Sequence, residues 1–183
     1  MNKSFELFVC RRGGREGTEL LDRALIAYGV DRGELAEAAL CRADMGKPYF
    51  KGLDINFNIS HSRDVWACLI GPACCGLDVQ YIKPCNFEKI AGRFFSYNDK
   101  KYSEAGGLEG FFDIWARREA FGKYTGEGFF GDFGSFADDE GNLIEAMAGA
   151  EFREIHIAPN CKCVCCVPKG SVGDFPIKIR EDF

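Results

Sequence analysis

Between Phe111 and Tyr124 the chain reads FFDIWARREAFGKY, and no other stretch limits the fold so strongly. As a helix it puts Trp115, Glu119 and Lys123 at i, i+4 and i+8, so a ring, a carboxylate and an ammonium share one face. Apolar Phe112, Ile114, Ala116, Ala120, Phe121 and Tyr124 are interleaved with the charges. A helix so apolar must be largely buried, and a charge on it needs a partner, a metal or an anion. The competing reading is an i,i+4 ion pair on a solvated face, which many helices carry. On the first reading Glu119 and Lys123 are candidates for a site.

A chain of 183 residues fits one ordinary domain or two small, tightly packed halves. With 46% hydrophobic and 28% charged residues it can bury a sizeable core, and its 17 Phe residues suggest one built on rigid rings. A formal net charge of -5 argues against broad nucleic-acid binding, which relies on Lys and Arg at the phosphates. The opening MNKSFELFVCRRGG has no apolar run suited to a signal peptide, and nothing reaches the roughly 18 apolar residues of a membrane span. The expectation is a cytoplasmic protein with no membrane partner, its ten cysteines reduced. Cys161, Cys163, Cys165 and Cys166 lie in a stretch that alternates like a strand, without the paired C-x(2–4)-C turns of zinc sites. They read as small buried strand residues.

Residues 5–11 read as an opening strand and 15–28 as an amphipathic helix with Leu20, Leu21, Leu25 and Ile26 inward. Residues 32–49 mix a short helix with a turn at Gly46-Lys47-Pro48. Three apolar runs, 55–60, 65–70 and 75–79, are separated by turn formers and suit antiparallel strands. Residues 87–95 read as a helix, Ser96-x-x-Asp99 as the cap of the next, and Gly106-Gly107 as a break before the helix that begins near Leu108. A Gly-rich loop at 126–134 and an acidic turn at 138–141 lead to closing strands at 151–157, 162–167 and 175–179. The fold class is α+β, with antiparallel sheets and segregated helices.

Two more segments carry polar groups in apolar settings. In Phe57-Asn58-Ile59-Ser60-His61-Ser62 a strand ends in hydroxyls and one of only two histidines, which suits an oxyanion or phosphate cradle as well as an ordinary polar turn. In Gly76-Leu77-Asp78-Val79-Gln80, alternation puts Asp78 and Gln80 on one face, opposite Leu77 and Val79. Asp78 and Glu119 together would hold Mg²⁺, which takes its remaining oxygens from water and a substrate phosphate. Lys123, Arg118, Lys47 and His61 supply positive or donor groups for further phosphate oxygens. That is equipment for phosphoryl-type transfer. No P-loop or Rossmann glycine motif supports a nucleotide kinase or a dehydrogenase.

Gly46-Lys47-Pro48, Phe57 to Ser62, Gly76 to Val79, Arg93-Phe94-Phe95-Ser96 and Trp115 to Lys123 together resemble the Sfp-type 4'-phosphopantetheinyl transferases, in order and with matching spacing. The resemblance implies two similar α/β halves related by a pseudo-twofold axis, residues 1–75 and 76–183, with a ligand cleft between them. The second half would carry the metal site and the catalytic helix. It implies a monomer that moves the phosphopantetheine arm of coenzyme A to a serine of an apo acyl or peptidyl carrier protein. The reaction would depend on Mg²⁺, with Mn²⁺ also suited, and release adenosine 3',5'-bisphosphate. Asp78 and Glu119 match the metal carboxylates, Glu119 and Lys123 the catalytic pair, and Lys47, Ser60, His61, Arg118 and Lys123 the coenzyme A ligands. The carrier would meet the rim formed by residues 94–102 and 126–134, with Arg93, Lys100 and Lys101 facing its acidic surface.

Three departures from the pattern matter, one being the short region before Gly46, where Arg11, Arg12 and Arg15 are available for a phosphate but read as a solvated run. Gln80 stands where many members have a third metal-binding acid, so weaker Mg²⁺ binding is expected. Asp99 replaces a glutamate after Phe-Phe-Ser. The competing reading is a non-catalytic relative that binds coenzyme A or a carrier.

Overall fold

Strict alternation along two central strands sets the layering. In the segment Glu6–Arg11, Leu7 and Val9 point to one side and Phe8 and Cys10 to the other, and all four are buried. A strand buried on both faces needs a cover on each. The computed structural model, which describes residues 4–171 and 177–183, provides both.

Along the chain the elements are β1 (Glu6–Arg11), α1 (Gly17–Tyr28), α2 (Arg32–Glu37), β2 (Ala39–Arg42), β3 (Pro48–Lys51), β4 (Asn56–Ser62), β5 (Val65–Gly71), β6 (Gly76–Tyr81), α3 (Phe87–Phe94), α4 (Tyr97–Thr125), β7 (Ala146–Met147), β8 (Ala150–Glu154), β9 (Cys161–Pro168) and β10 (Lys178–Glu181). One sheet is ordered β10-β1-β5-β4 and the other β6-β9-β8-β7. Their inner faces meet through Leu7, Val9 and Leu69 on one side and Leu77, Val79, Cys163 and Cys165 on the other. Helix α1 covers the outer face of the first sheet, setting Leu20, Leu21, Ala24 and Leu25 against Phe8, Trp66 and Ile70. Helices α3 and α4 cover the second, where Phe111, Phe121, Phe136 and Phe152 build the ring-rich core against Val164 and Cys166. The result is a helix, two sheets and a helical layer, an α+β fold with antiparallel pairing except between β1 and β10.

Several expectations shift in detail. Ile26 is only half-buried, because the inward stripe of α1 runs through Ala24 and Tyr28. The expected short helix is α2, and the expected turn at Gly46-Lys47-Pro48 joins β2 to β3 in a largely exposed hairpin whose strands were not expected. Ser96 caps α4 by accepting the Asp99 amide, and the helix breaks at Gly107, whose φ of 59° and ψ of -141° are not helical. Cys163 and Cys165 face the first sheet while Cys166 faces the helices. The expected strand at 175–179 falls partly outside the described residues, and its described end belongs to β10. Because β10 returns to the first sheet, a cut after residue 75 does not separate the two sheets. Among the described residues no helix is long and apolar enough to cross a membrane.

Candidate active site

The site grows from a seam between the two sheets. Every second residue of β4 is polar, and these side chains take over the work of a backbone ladder along β6. Asn58 Oδ1 accepts the Leu77 amide at 2.9 Å, Ser60 Oγ the Val79 amide at 3.0 Å, and Ser62 Oγ the Tyr81 amide at 2.9 Å. A buried edge with unmet amides would be costly, so the polar row is what lets β6 lie inside the molecule. The row faces the same strand that carries Asp78.

Asp78 is 2% exposed. Its Oδ1 accepts from Lys123 Nζ at 2.7 Å and from Ser60 Oγ at 3.1 Å. Lys123 Nζ also donates to the Leu77 carbonyl at 2.9 Å and to Ser60 Oγ at 3.2 Å. Ser60 therefore gives its one proton to Asp78 and is engaged by two donors besides. Close approach of helix and strand makes this possible: a Cβ on Gly76 would stand 1.9 Å from the Ala120 carbonyl oxygen. Asp78 Oδ2 is buried and has no hydrogen-bond partner.

Glu119 lies one helical turn before Lys123 on α4. Burial pushes its carboxyl above the ordinary range, the Asp78 charge adds to the rise, and Lys123 opposes it. Two carboxylates that repel, one with an unsatisfied buried oxygen, form an arrangement that a hard divalent cation relieves, and the donors are all oxygen. Gln80 points to the same side of β6 and adds a neutral oxygen. Across the ladder it faces Lys162, whose ammonium is held by Asp113 at 2.7 Å and by Glu154 at 3.2 Å. Among the described residues no group of three or more His, Cys, Asp or Glu side chains is drawn together to hold a metal.

Beside Lys123 opens a cleft of about 390 Å³, lined by Arg42, Lys47, His61, Lys123 and the backbone at Gly122 and Gly128. It adjoins a second hollow of about 260 Å³ that shares Arg42 and His61 and adds Arg12. His61 is exposed at the junction. Lys47 also borders the cleft, but its ammonium is held by the Lys123 carbonyl at 2.7 Å, the Cys75 carbonyl at 2.9 Å and Cys74 Sγ at 3.4 Å.

Arg118 is drawn elsewhere. It donates Nε to the Phe129 carbonyl at 3.0 Å and Nη2 to the Gly131 carbonyl at 2.8 Å, and its guanidinium lies over the rings of Phe129 and Phe133. It fastens the Gly-rich loop to α4. Asp99 does a similar task, accepting the Phe136 and Ala137 amides at 2.7 and 2.9 Å. Sequence reasoning missed Asn58 and Ser62 as seam residues and Arg42 as a cleft residue, and it read Arg12 as part of a solvated run. The seam had a signal, polar side chains at a period of two on an otherwise apolar strand; the two arginines had none, sitting in exposed runs.

The model of the 4'-phosphopantetheinyl transferase superfamily matches residues 74–169, the segment that holds Asp78, Glu119 and Lys123. A 4'-phosphopantetheinyl transferase of Bacillus subtilis is 33% identical over 134 residues, covering 68% of this chain and 58% of its own. The 4'-phosphopantetheinyl transferase gsp of Aneurinibacillus migulanus is 28% identical over 144 residues, covering 73% and 60%. The 4'-phosphopantetheinyl transferase psf-1 of Bacillus pumilus is 38% identical over 96 residues, covering 50% and 41%. The chain thus spans no more than about three fifths of the length of these relatives. With the family's model lying over the strand and helix that bring the acid pair and its lysine together, the chain belongs to the 4'-phosphopantetheinyl transferase superfamily.

Proposed function

We propose that this chain transfers the 4'-phosphopantetheine arm of coenzyme A to a serine hydroxyl of an apo acyl or peptidyl carrier protein. The other product is adenosine 3',5'-bisphosphate. The observation that carries the reading is the unsatisfied buried Asp78 Oδ2 beside Glu119 and Lys123, at a cleft whose other side chains include Arg42 and His61.

Asp78 and Glu119 would hold Mg²⁺ or Mn²⁺, with Gln80 offering a neutral oxygen. Bound there, the cation supplies neutralisation of the pyrophosphate charge. Lys123 stands at the mouth of the same pair and steadies the oxygens on which charge grows as the phosphorus–oxygen bond to the nucleotide breaks. Exchanging its longer bond, to Ser60, for a phosphate oxygen leaves its bond to Asp78 intact. Arg42, His61 and Arg12 follow along the cleft and its neighbour as donors for the remaining phosphate oxygens. Glu119 takes the proton of the incoming serine, directly or through a water; beside a bound cation a carboxylate is a weak base, which favours the water relay.

The same connectivity in each half supports a pseudo-twofold reading of the fold. In the first half the opening strand β1 pairs with the closing strand β5, which pairs with β4; in the second, β6 pairs with β9, which pairs with β8. Helices fill the middle of both. For the carrier, the rim offers Phe94, Phe129 and Phe130 packed ring to ring, with Phe130 79% exposed and Arg93 and Lys101 exposed nearby in sequence. An apolar anchor flanked by basic residues suits an acidic carrier. The enzyme would act as a cytoplasmic monomer.

The test is intact-mass measurement of an apo acyl or peptidyl carrier incubated with the protein, coenzyme A and Mg²⁺. A phosphopantetheine-sized gain that disappears in Glu119→Ala or with chelator supports the transferase. No gain on either carrier, with coenzyme A still bound, points to the binding relative instead.

A further inference from the structure

We infer that Lys47 is a positioning residue of this site, a strut that locks β6 to the end of α4, and does not bind phosphate itself. The inference rests on the transferase reading for its functional consequence and on geometry alone for the strut. Lys47 sits at the tip of the β2–β3 hairpin, in a turn closed by the Ala43 amide on the Lys47 carbonyl at 2.9 Å. Its ammonium has three protons and three partners. Two are backbone carbonyls from separate elements: Cys75, the residue before β6, and Lys123, in the last turn of α4.

The last carbonyls of a helix have no partner within it. Here the Gly122 carbonyl takes the Gly126 and Gly128 amides, the Tyr124 carbonyl takes the Cys74 thiol at 3.3 Å, and the Lys123 carbonyl takes Lys47. A cation at a helix C-terminus is also favoured by the helix dipole. Moving Lys47 onto a phosphate would leave these two carbonyls unmet in a half-buried junction, and that penalty opposes the move. Lys123 differs, because its partner Asp78 belongs to a pair with surplus negative charge.

The strut closes a loop of contacts. Lys47 holds the backbone of Lys123, the Lys123 side chain holds Asp78, and Asp78 lies three residues beyond Cys75, which Lys47 also holds. The spacing between the strand acid and the helix acid is thereby fixed from behind. A displacement of about 1 Å in such a site can lower turnover by about a hundredfold.

Two measurements test it. First, amide exchange at Gly126 and Gly128 is compared between the wild type and Lys47→Met, both without ligand. Protection should fall by about tenfold as the helix end frays. In the same variant kcat should fall by about tenfold or more, with KM for coenzyme A within about threefold. Unchanged exchange in the free protein, or a large rise in KM with kcat intact, overturns the strut. Second, should Lys47→Met not fold, nitrogen-detected NMR of the wild-type lysine ammonium groups decides. Lys47 should give a hydrogen-bonded signal in the free protein that stays in place as coenzyme A saturates the cleft. A signal that forms only with coenzyme A overturns the assignment. Failure of the wild type to bind coenzyme A at all would sink the transferase reading and leave the exchange result to judge the strut.

Discussion

Asp78 and Lys123, 45 residues apart in the chain, meet at 2.7 Å with the aspartate buried and the lysine side chain 28% exposed. Such a pair contributes little net stability compared with an apolar pair of the same shape, but removing one member strands the other. Lys123→Met should therefore destabilise the metal-free protein by about 3 kcal/mol. Urea unfolding measures this directly. A loss below about 1 kcal/mol would mean the aspartate finds water or another donor.

Glu119 should impose a pH dependence of known sign. Its folded pKa lies above the ordinary carboxylate value, mainly through burial. Between those two values the folded protein holds a proton that the unfolded chain has released, so stability falls as pH rises across that window. Glu119→Gln removes the slope. The stability of this variant relative to the wild type should grow from about pH 4 upward and then level off. A difference independent of pH would show that Glu119 titrates like a solvated acid. Mg²⁺ should stabilise the wild type more than the variant.

Arg118 fastens the loop of residues 126–134, and its loss should show there first. Arg118→Met removes two bonds to carbonyls and the contacts with two rings, a loss of about 2 kcal/mol. Limited proteolysis should cut the loop faster, while calorimetry finds coenzyme A affinity little altered. A large drop in affinity would return Arg118 to the phosphates.

Gln80 leaves the acid pair one negative charge short of three. Gln80→Glu should raise Mg²⁺ affinity by about tenfold, read by isothermal titration. The neighbouring Lys162 softens the added repulsion, since it lies opposite residue 80 in the ladder. An unchanged affinity would show that residue 80 does not reach the ion.

Gly76 marks the tightest approach of α4 to β6. In Gly76→Ala the new methyl would meet the Ala120 carbonyl oxygen at 1.9 Å and the Tyr124 amide nitrogen at 2.7 Å, both backbone atoms that cannot swing aside. The helix must shift, at a cost of about 3 kcal/mol. Thermal unfolding should show it, and turnover should fall further than stability alone explains.

Much of this was legible in the sequence, for a physical reason. Burial leaves a trace: continuous apolar runs for β1, β5 and β9, which are covered on both faces, polar side chains at every second position of β4, and a period of about 3.6 for α1. Charges that break an apolar period, such as Asp78, Glu119 and Lys123, stand out as needing partners. The β2–β3 hairpin leaves no such trace, because it is largely exposed, with Phe50 alone of its large side chains packed on the core, and its strands pair mainly with each other. Partners that are backbone carbonyls are also silent in sequence. Lys47 and Ser60 looked like phosphate ligands from residue type alone, and only the fold reveals what already surrounds them. Arg118 is the same case on α4.

The placement of β10 carries a consequence for how the molecule is made. Its residues 178–181 lie parallel to β1, along the open edge of the first sheet. On the ribosome, that sheet must wait with one flank bare until nearly all of the second layer has emerged. A bare flank is a template for stray pairing with another nascent chain. Slow translation across residues 178–181, or a fusion that delays their docking, should therefore lower soluble yield without touching a single residue of the site.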